Sequence, residues 1–114
     1  MKLAIIGSRS ITKIDIEKYI PSGVTEIVSG GANGVDSLTK DYAISHNIPY
    51  TEFSPDYARY KKGAPLKRNQ LIAEYSDYCL AFWDGKSKGT QHTLKQFNQL
   101  NKPYNVIMIN NTPK

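Results

Sequence analysis

The sequence predicts an α/β fold of three layers, a Rossmann-like α/β/α sandwich around a five-stranded parallel sheet. Short apolar runs alternate with segments of helical periodicity along the chain. In runs such as KLAII at 2–6, every residue after the initial lysine is apolar, as strands buried on both faces require. For five strands joined by crossover helices, we expect the doubly wound order 3-2-1-4-5.

The predicted elements follow one another in strict alternation. The predicted strands cover 2–6, 25–29, 49–53, 77–83 and 104–109. The helices predicted between them cover about 16–20, 35–47, 65–75 and 90–100. Segment 54–63 is basic and tyrosine-rich without a regular pattern, and a polar tail follows the last strand. No repeat or linker interrupts the pattern, so the 114 residues are predicted to form one domain, 1–114.

The composition excludes several classes of protein. Hydrophobic residues make up 39% of the chain and charged residues 22%, which is typical of globular proteins and not of disordered ones. No apolar run is long enough to span a bilayer, and the N-terminus lacks the features of a secretory signal. The single cysteine, Cys79, lies in an apolar run and is expected to be a buried, inert thiol. We therefore expect a cytoplasmic protein with no membrane partner.

The net charge of +5 favours anionic partners such as nucleotides, nucleic acid or acidic surfaces, although it also serves solubility. Part of this charge is clustered in RYKKGAPLKR at 59–68. The sequence contains no set of Cys, His, Asp and Glu residues with metal-ligand spacing, so we expect no metal and no cofactor.

Three loops rich in glycine and hydroxyl side chains follow predicted strands. They are GSRS at 7–10, SGGANG at 29–34 and DGKSKGT at 84–90. The carboxyl ends of parallel strands meet at one edge of a sheet, and ligands bind there near the point where the strand order reverses. Backbone N–H groups at the following helix starts suit an anion such as phosphate. Turn geometry alone explains any single glycine, but three such loops at one edge favour a binding site.

The ligand-binding residues predicted in these loops share small size, hydroxyl groups or charge. They are Gly7, Ser8, Arg9, Ser29, Gly30, Gly31, Asn33, Gly34, Asp36, Asp84, Gly85, Ser87, Gly89 and Thr90. Arg9 is expected to clamp a phosphate with two hydrogen bonds. Asp36 is expected either to bind a ribose hydroxyl or to stabilise its own helix start, and Thr90 is the expected N-cap of the last helix.

Aromatic and imidazole side chains near these loops have alternative roles. Tyr57 and Tyr60 are candidates for stacking on a base, but tyrosines in loops more often cover a core or an oligomer interface. Trp83 is expected to pack at the rim of the site. His92 is expected to be structural rather than catalytic.

Two stretches, SGGANGVD at 29–36 and APLKRNQLIAEYSDYCLAFWDGKSKGT at 64–90, resemble the SLOG superfamily of Rossmann-like domains. This superfamily joins the DNA-processing protein DprA (Smf) with the LOG phosphoribohydrolases, and the chain most resembles its short, single-domain YspA-like members. The resemblance implies binding of a nucleotide or nucleotide derivative. It adds Arg68 and Asn69, which match a recurring Arg-Asn pair, while Gly89 and Thr90 match the GT of the LOG motif PGGxGTxxE.

The chain differs from the LOG motif at the residue that LOG enzymes use for catalysis. The glutamate that serves in cleaving the N-glycosidic bond corresponds to Thr93 here, and the preceding PGG is replaced by DGKSK. A threonine cannot supply the negative charge that such a hydrolysis requires. If the chain is an enzyme, the candidate catalytic residues are Arg68, Asp84 and Asp36.

Three functional hypotheses remain open on the sequence. The first is a sensor or carrier of a nucleotide such as AMP or ADP-ribose, and the second is a LOG-like nucleotide N-glycosidase. The third is DprA-like binding of single-stranded DNA, which the net charge of +5 and the cluster at 59–68 favour. The resemblance to LOG enzymes also implies a homodimer.

Overall fold

A computed structural model describes residues 1–109 and contains one sheet of five parallel strands. The strands are β1 (Lys2–Gly7), β2 (Glu26–Ser29), β3 (Tyr50–Glu52), β4 (Tyr78–Trp83) and β5 (Tyr104–Met108). Their order is β3-β2-β1-β4-β5, which confirms the predicted topology. Strands β1 and β4 lie side by side at the centre, with Ile5 in register with Leu80.

Helices cover both faces of this sheet. The α-helices are α1 (Val35–Ser45), α2 (Tyr57–Tyr60), α3 (Ala64–Tyr75) and α4 (Lys88–Gln99). Two turns of 3-10 helix lie at Ile16–Tyr19 and Lys61–Gly63. None of the helices in this part of the chain has the length and apolar character needed to cross a bilayer.

The core is divided between the two faces of the sheet because side chains alternate along each buried strand. On one face Leu3 and Ile27 pack with Val35 of α1 and Ile16 of the first 3-10 turn. On the other face Ala4 and Val28 pack with residues of α3 and α4, including Ile72 and Phe97. The reversal of strand order at β1 places the two sets of crossovers on opposite faces, as the three-layer fold requires.

All four predicted helices differ from the structure by one or two residues at a boundary, and the first and the last differ most in character. The first crossover contains a single 3-10 turn at Ile16–Tyr19 in place of the predicted helix, and Pro21 lies just beyond its end. Helix α4 begins at Lys88, and its N-cap is Ser87, whose Oγ accepts the Thr90 N–H at 3.4 Å. The prediction that Thr90 is the N-cap was therefore wrong. Thr90 is instead a buried residue of the first turn, 4% exposed.

The segment 54–63 is more regular than predicted, since it contains α2 and the second 3-10 turn. Asp56 caps α2 by accepting the Arg59 N–H at 3.2 Å, which gives this short helix a defined start. Strand β5 ends at Met108, one residue earlier than predicted. The predicted polar tail, 110–114, lies outside the described residues.

Candidate ligand-binding cavity

A cavity of about 370 Å³ opens at the carboxyl edge of the sheet. It is lined by the loops after β1, β2 and β4 and by the first turns of α3 and α4. Strands β1 and β4 are neighbours at the centre of the sheet, so the cavity lies at the point where the strand order reverses. The predicted site residues that line it are Gly7, Arg9, Gly30, Asp36, Arg68, Asn69, Asp84, Ser87, Gly89 and Thr90.

Helix α3 supplies one wall of the cavity. Pro65, Arg68, Asn69 and Ile72 all line it, and their spacing of i, i+3, i+4 and i+7 places them on one face of the helix. Leu66 adds an exposed apolar side chain at the rim, 52% exposed. The apolar members of this wall were not predicted as site residues, although the helical spacing from Arg68 could have found Pro65 and Ile72.

The Arg68 guanidinium is half-buried and lies against the loop after β2. Its Nη1 donates a hydrogen bond to the Gly30 carbonyl oxygen, and its Nε donates to Asn69 Oδ1 at 2.9 Å. A Cβ at Gly30 would lie 2.6 Å from Nη1, so the glycine makes room for this side chain. Burial lowers the pKa of Arg68, and the neighbouring Arg9 lowers it further, whereas Asp36 opposes the shift.

Asn69 is almost fully buried and connects Arg68 to α4. Because its Oδ1 accepts from Arg68, its Nδ2 faces His92 and donates to Nδ1 at 3.2 Å. Burial is the main cause that lowers the pKa of His92. His92 does not line the cavity and acts as a support for Asn69.

Asp36 is buried in the first turn of α1, 8% exposed. Its Oδ2 accepts the Ala32 N–H at 3.0 Å, so it stabilises the loop 30–34. Burial raises the pKa of Asp36, while the Ala32 hydrogen bond and the charge of Arg68 act in the opposite direction. A carboxylate at this helix start repels a phosphate, so the N-terminus of α1 is a poor anion site.

Asp84 organises the loop after β4. Its Oδ1 accepts the N–H groups of Lys86 at 2.8 Å and Ser87 at 2.9 Å, and its Oδ2 accepts from Ser10 Oγ at 2.9 Å. The two backbone hydrogen bonds are the main cause that lowers the pKa of Asp84 to about 2. A carboxylate so occupied is suited to holding the loop and is a poor general acid.

Gly7 and Gly34 serve the packing of the loops against each other. A Cβ at Gly7 would lie 2.4 Å from the Phe82 oxygen and from Val35 Cγ2. At Gly34, where φ is 73°, a Cβ would lie 2.6 Å from the carbonyl oxygens of Ser8 and Arg9. These two glycines are therefore required by close backbone approach, whatever binds in the cavity.

The predicted site residues that do not line the cavity are Ser8, Ser29, Gly31, Asn33, Gly34 and Gly85. Ser8 is buried, and its Oγ accepts the Asp84 N–H at 3.0 Å, which joins the ends of β1 and β4. Ser29 is fully buried, and Gly31 lies beside the side chain of Glu52. Of these residues, Ser8 and Gly34 hold the loops of the site in position.

The start of α4 differs from the start of α1. The first turn of α4 contains no acidic residue, and Ser87, Gly89 and Thr90 line the cavity. Within residues 1–109 no acceptor is found for the N–H groups of Lys88 and Gly89. The positive end of the helix dipole thus faces the same cavity as Arg9 and Arg68.

The other predicted side chains lie outside the cavity. Tyr57 and Tyr60 do not line it, and the Tyr60 ring lies within 6 Å of both Arg59 and Lys67. Trp83 donates from Nε1 to the Ser87 carbonyl oxygen at 3.0 Å, so it supports the start of α4. Cys79 is fully buried, and burial raises the pKa of its thiol.

Comparisons with known proteins give one similarity to report. The Gene 61 protein of Mycobacterium phage D29 is 28% identical to the chain over an alignment of 93 residues, and the match covers 76% of this chain and 73% of the phage protein. No protein-family model matches the chain. No solved structure matches it either.

Proposed function

We propose that the protein binds a nucleotide or nucleotide derivative of the AMP or ADP-ribose type, as a sensor or carrier. The observation that carries this proposal is the convergence of Arg9, Arg68 and the start of α4 on one cavity at the carboxyl edge of the sheet. The resemblance to the SLOG superfamily supports the same ligand class, and membership of that superfamily is part of the proposal.

The arginines and the start of α4 favour an anionic group on the ligand. Arg9 and Arg68 both line the cavity, so their like charges repel each other across it. A phosphate between them would relieve that repulsion and would accept charge-assisted hydrogen bonds. The helix start at Gly89 adds backbone N–H donors on the same side.

The rest of the cavity favours a ligand with an apolar body. Ile6, Pro65, Leu66 and Ile72 form the apolar part of the cavity lining. An inorganic phosphate would leave this surface uncovered, whereas a nucleoside attached to the phosphate would bury it. The carboxylates of Asp36 and Asp84 offset the two arginines, which favours a ligand of low charge over a polyphosphate.

The two alternative functions have less support from the cavity. Thr93 is 3% exposed, and its Oγ1 donates to the Gly89 carbonyl oxygen at 3.0 Å, so it does not stand in for the glutamate of LOG enzymes. For single-stranded DNA the support is the basic segment 59–68, whose Arg59 and Lys67 lie around the Tyr60 ring. Binding through phosphates of a long strand would weaken steeply with salt, unlike binding of one nucleotide in a cavity.

Isothermal titration calorimetry with AMP, ADP-ribose and adenosine tests the proposal. We expect AMP or ADP-ribose to bind and adenosine to bind at least about tenfold more weakly, because it lacks the phosphate. Arg68→Ala should weaken the nucleotide by about 10- to 100-fold, as expected for loss of a charge-assisted hydrogen bond. Arg59→Ala is the matched control, since Arg59 is an arginine outside the cavity.

Each outcome of this titration separates the hypotheses. Equal affinity for AMP and adenosine, or no binding of either nucleotide, contradicts the proposal. Release of free base or ribose 5-phosphate during the incubation would favour the N-glycosidase. Binding of an oligonucleotide that Arg59→Ala weakens and that falls steeply with salt would favour the DNA-binding function.

A further inference from the structure

Arg68 is held in one orientation by two hydrogen bonds that it donates. Its Nη1 donates to the Gly30 carbonyl oxygen, and its Nε donates to Asn69 Oδ1 at 2.9 Å. Because the guanidinium is planar, fixing two of its nitrogens also fixes the direction of the third. Within residues 1–109 no acceptor is found for that third nitrogen, Nη2, so it is left for a ligand in the cavity that Arg68 lines.

The Asn69 amide is held in turn from its other end. Its Nδ2 lies 3.2 Å from His92 Nδ1 and 3.5 Å from the Gly89 carbonyl oxygen. A side-chain amide has one end that only accepts and one end that only donates. Two acceptors beside Nδ2 therefore keep Oδ1 turned toward Arg68, and the nearly complete burial of Asn69 leaves little water to replace them.

His92 accepts from Asn69 only while its imidazole is neutral. A neutral imidazole keeps a lone pair on one ring nitrogen, whereas an imidazolium carries a proton on both. Protonation therefore sets two donors against each other across 3.2 Å. Turning the Asn69 amide over does not remove the conflict, because it places Nδ2 against the donor Arg68 Nε and Oδ1 against the Gly89 carbonyl oxygen. The hydrogen-bond chain from Arg68 to His92 is thus compatible only with a neutral imidazole.

The surroundings of His92 favour this neutral form. Burial, followed by the charge of Lys95, lowers the pKa of His92 from its ordinary value of 6.5. Strands β4 and β5, on which α4 packs, contain no Asp, Glu, Lys, Arg or His. On α3, Arg68 lies beyond the Asn69 amide, and the carboxylate of Glu74 accepts from Gln70 at 3.1 Å. The charged residues of the two helices are Lys88 and Lys95 on α4 and Lys67, Arg68 and Glu74 on α3.

We propose that His92 is a positioning residue of the cavity: its neutral form holds Asn69, and through it Arg68, so that protonation of His92 weakens nucleotide binding. The identity of the ligand rests on the proposed function, whereas the hydrogen-bond chain exists without a ligand.

The direction of this pH effect separates it from simple electrostatics. An added positive charge on His92 would by itself attract a phosphate. Asp36, which lines the cavity and has a raised pKa, also gains a proton as the pH falls, and the loss of its negative charge would favour an anion as well. Both effects strengthen binding on acidification, so weaker binding on acidification is specific to the loss of the hydrogen-bond chain.

An NMR titration of the free protein tests the chain without any ligand. The protein has two histidines, and the variant His46→Asn assigns their ring signals. We expect the Arg68 Nε–H signal to shift with the same midpoint as the His92 ring, below pH 6.5. His92→Asn should abolish that shift, because asparagine offers a neutral oxygen close to the place of Nδ1 and does not titrate. An Arg68 signal that does not follow His92, or that shifts alike in His92→Asn, overturns the proposal.

Calorimetry with ADP-ribose at several pH values tests the effect on binding. This nucleotide is chosen because neither of its phosphates takes up a proton in the range used, whereas the phosphate monoester of AMP does so near about pH 6. We expect the wild-type affinity to fall about three- to tenfold from about pH 7.5 to about pH 5. His92→Asn should remove this fall, and His92→Phe, which has a ring but no acceptor, should bind weakly at both pH values.

His46→Asn is the matched control, since His46 lies at the end of α1 and does not line the cavity. It should keep the wild-type dependence on pH. A wild-type affinity that stays constant or rises on acidification, or a fall that His92→Asn retains or that His46→Asn removes, overturns the proposal. If no nucleotide binds at any pH, the proposed function is wrong, and the Arg68 signal of the free protein then decides whether His92 positions Arg68.

Discussion

In the loop after β2, Gly34 packs against the carbonyl oxygens of Ser8 and Arg9, whereas in the loop after β4, Gly89 has open space where a Cβ would be. The first loop is held by its own groups, since Asp36 accepts the Ala32 N–H and Arg68 donates to the Gly30 carbonyl oxygen. In the second loop the Asp84 carboxylate accepts the N–H groups of Lys86 and Ser87. The N–H groups at the start of α4 are not bound by it and face the cavity.

This difference shows that two glycine-rich loops at one sheet edge have distinct roles. The loop 30–34 is bare of side chains mainly so that neighbouring groups can pack against it. In the loop 84–89 the open space at Gly89 leaves a helix start accessible. Anion binding is therefore expected at α4 and the arginines, and not in a cradle formed by the loop 30–34.

Gly34→Ala should have the largest effect on stability. A Cβ there would be 2.6 Å from two carbonyl oxygens, on a backbone with φ of 73°. We expect a loss of about 2–4 kcal/mol in the free energy of unfolding, measured by urea denaturation. Gly63→Ala is the control, because a Cβ at Gly63 has no atom within 4 Å. Equal stability of the two variants would contradict the packing role of Gly34.

Arg68→Lys tests whether the geometry of the guanidinium matters beyond its charge. A lysine keeps the charge but cannot bond the Gly30 carbonyl oxygen and Asn69 Oδ1 with a fixed planar fork. We expect the affinity for AMP to fall by about tenfold, which calorimetry measures as about 1.4 kcal/mol. Retention of wild-type affinity would mean that Arg68 acts only as a point charge.

Asp84→Asn should change the dependence of stability on pH. The folded state holds the pKa of Asp84 at about 2, below its ordinary value of 3.8, so the carboxylate stabilises the fold above pH 4. The advantage of the wild type over the variant should therefore disappear as the pH falls from about 4 to about 2. Thermal denaturation against pH measures this, with Asp41→Asn, exposed on α1, as the control for loss of one charge. If the wild type is still more stable than Asp84→Asn at pH 2, the Asp84 carboxylate does not stabilise the fold in this way.

Gly89→Ala should have a small effect on stability that is opposite in sign to that of Gly34→Ala. No atom lies within 4 Å of a Cβ at this position, and alanine favours a helix over glycine by up to about 1 kcal/mol. The same methyl group would project where the phosphate is proposed to bind, so affinity for AMP should fall several-fold. Unchanged affinity would place the anion elsewhere, and a loss of stability would contradict the open space at Gly89.

Much of the fold could be predicted from the sequence because a buried parallel strand leaves a distinct pattern. The run LAII at 3–6 has no polar residue, and crossover rules leave few orders for five such strands. The length of the first crossover could not be predicted from the spacing of Ile16, Tyr19 and Ile20, since a single turn of 3-10 helix satisfies the same spacing.

The residues of the cavity were predicted in part. The loops after β1 and β4 were expected at the site because their position follows from strand order alone. The role of Gly34 was not predictable, because its partners Ser8 and Arg9 are distant in sequence and meet it only in the folded chain. Pro65 and Ile72 were not predicted because they lie on a helix, whereas the glycine-rich pattern that predicted the site marks only loops.

Chemical-shift perturbation of backbone amides on addition of AMP tests most directly where the anion binds. The account predicts that the largest shifts occur at Gly89, Thr90 and Arg9, with little change at Gly31 and Asn33. Shifts concentrated at Gly31 and Asn33, or none in either loop, would contradict it.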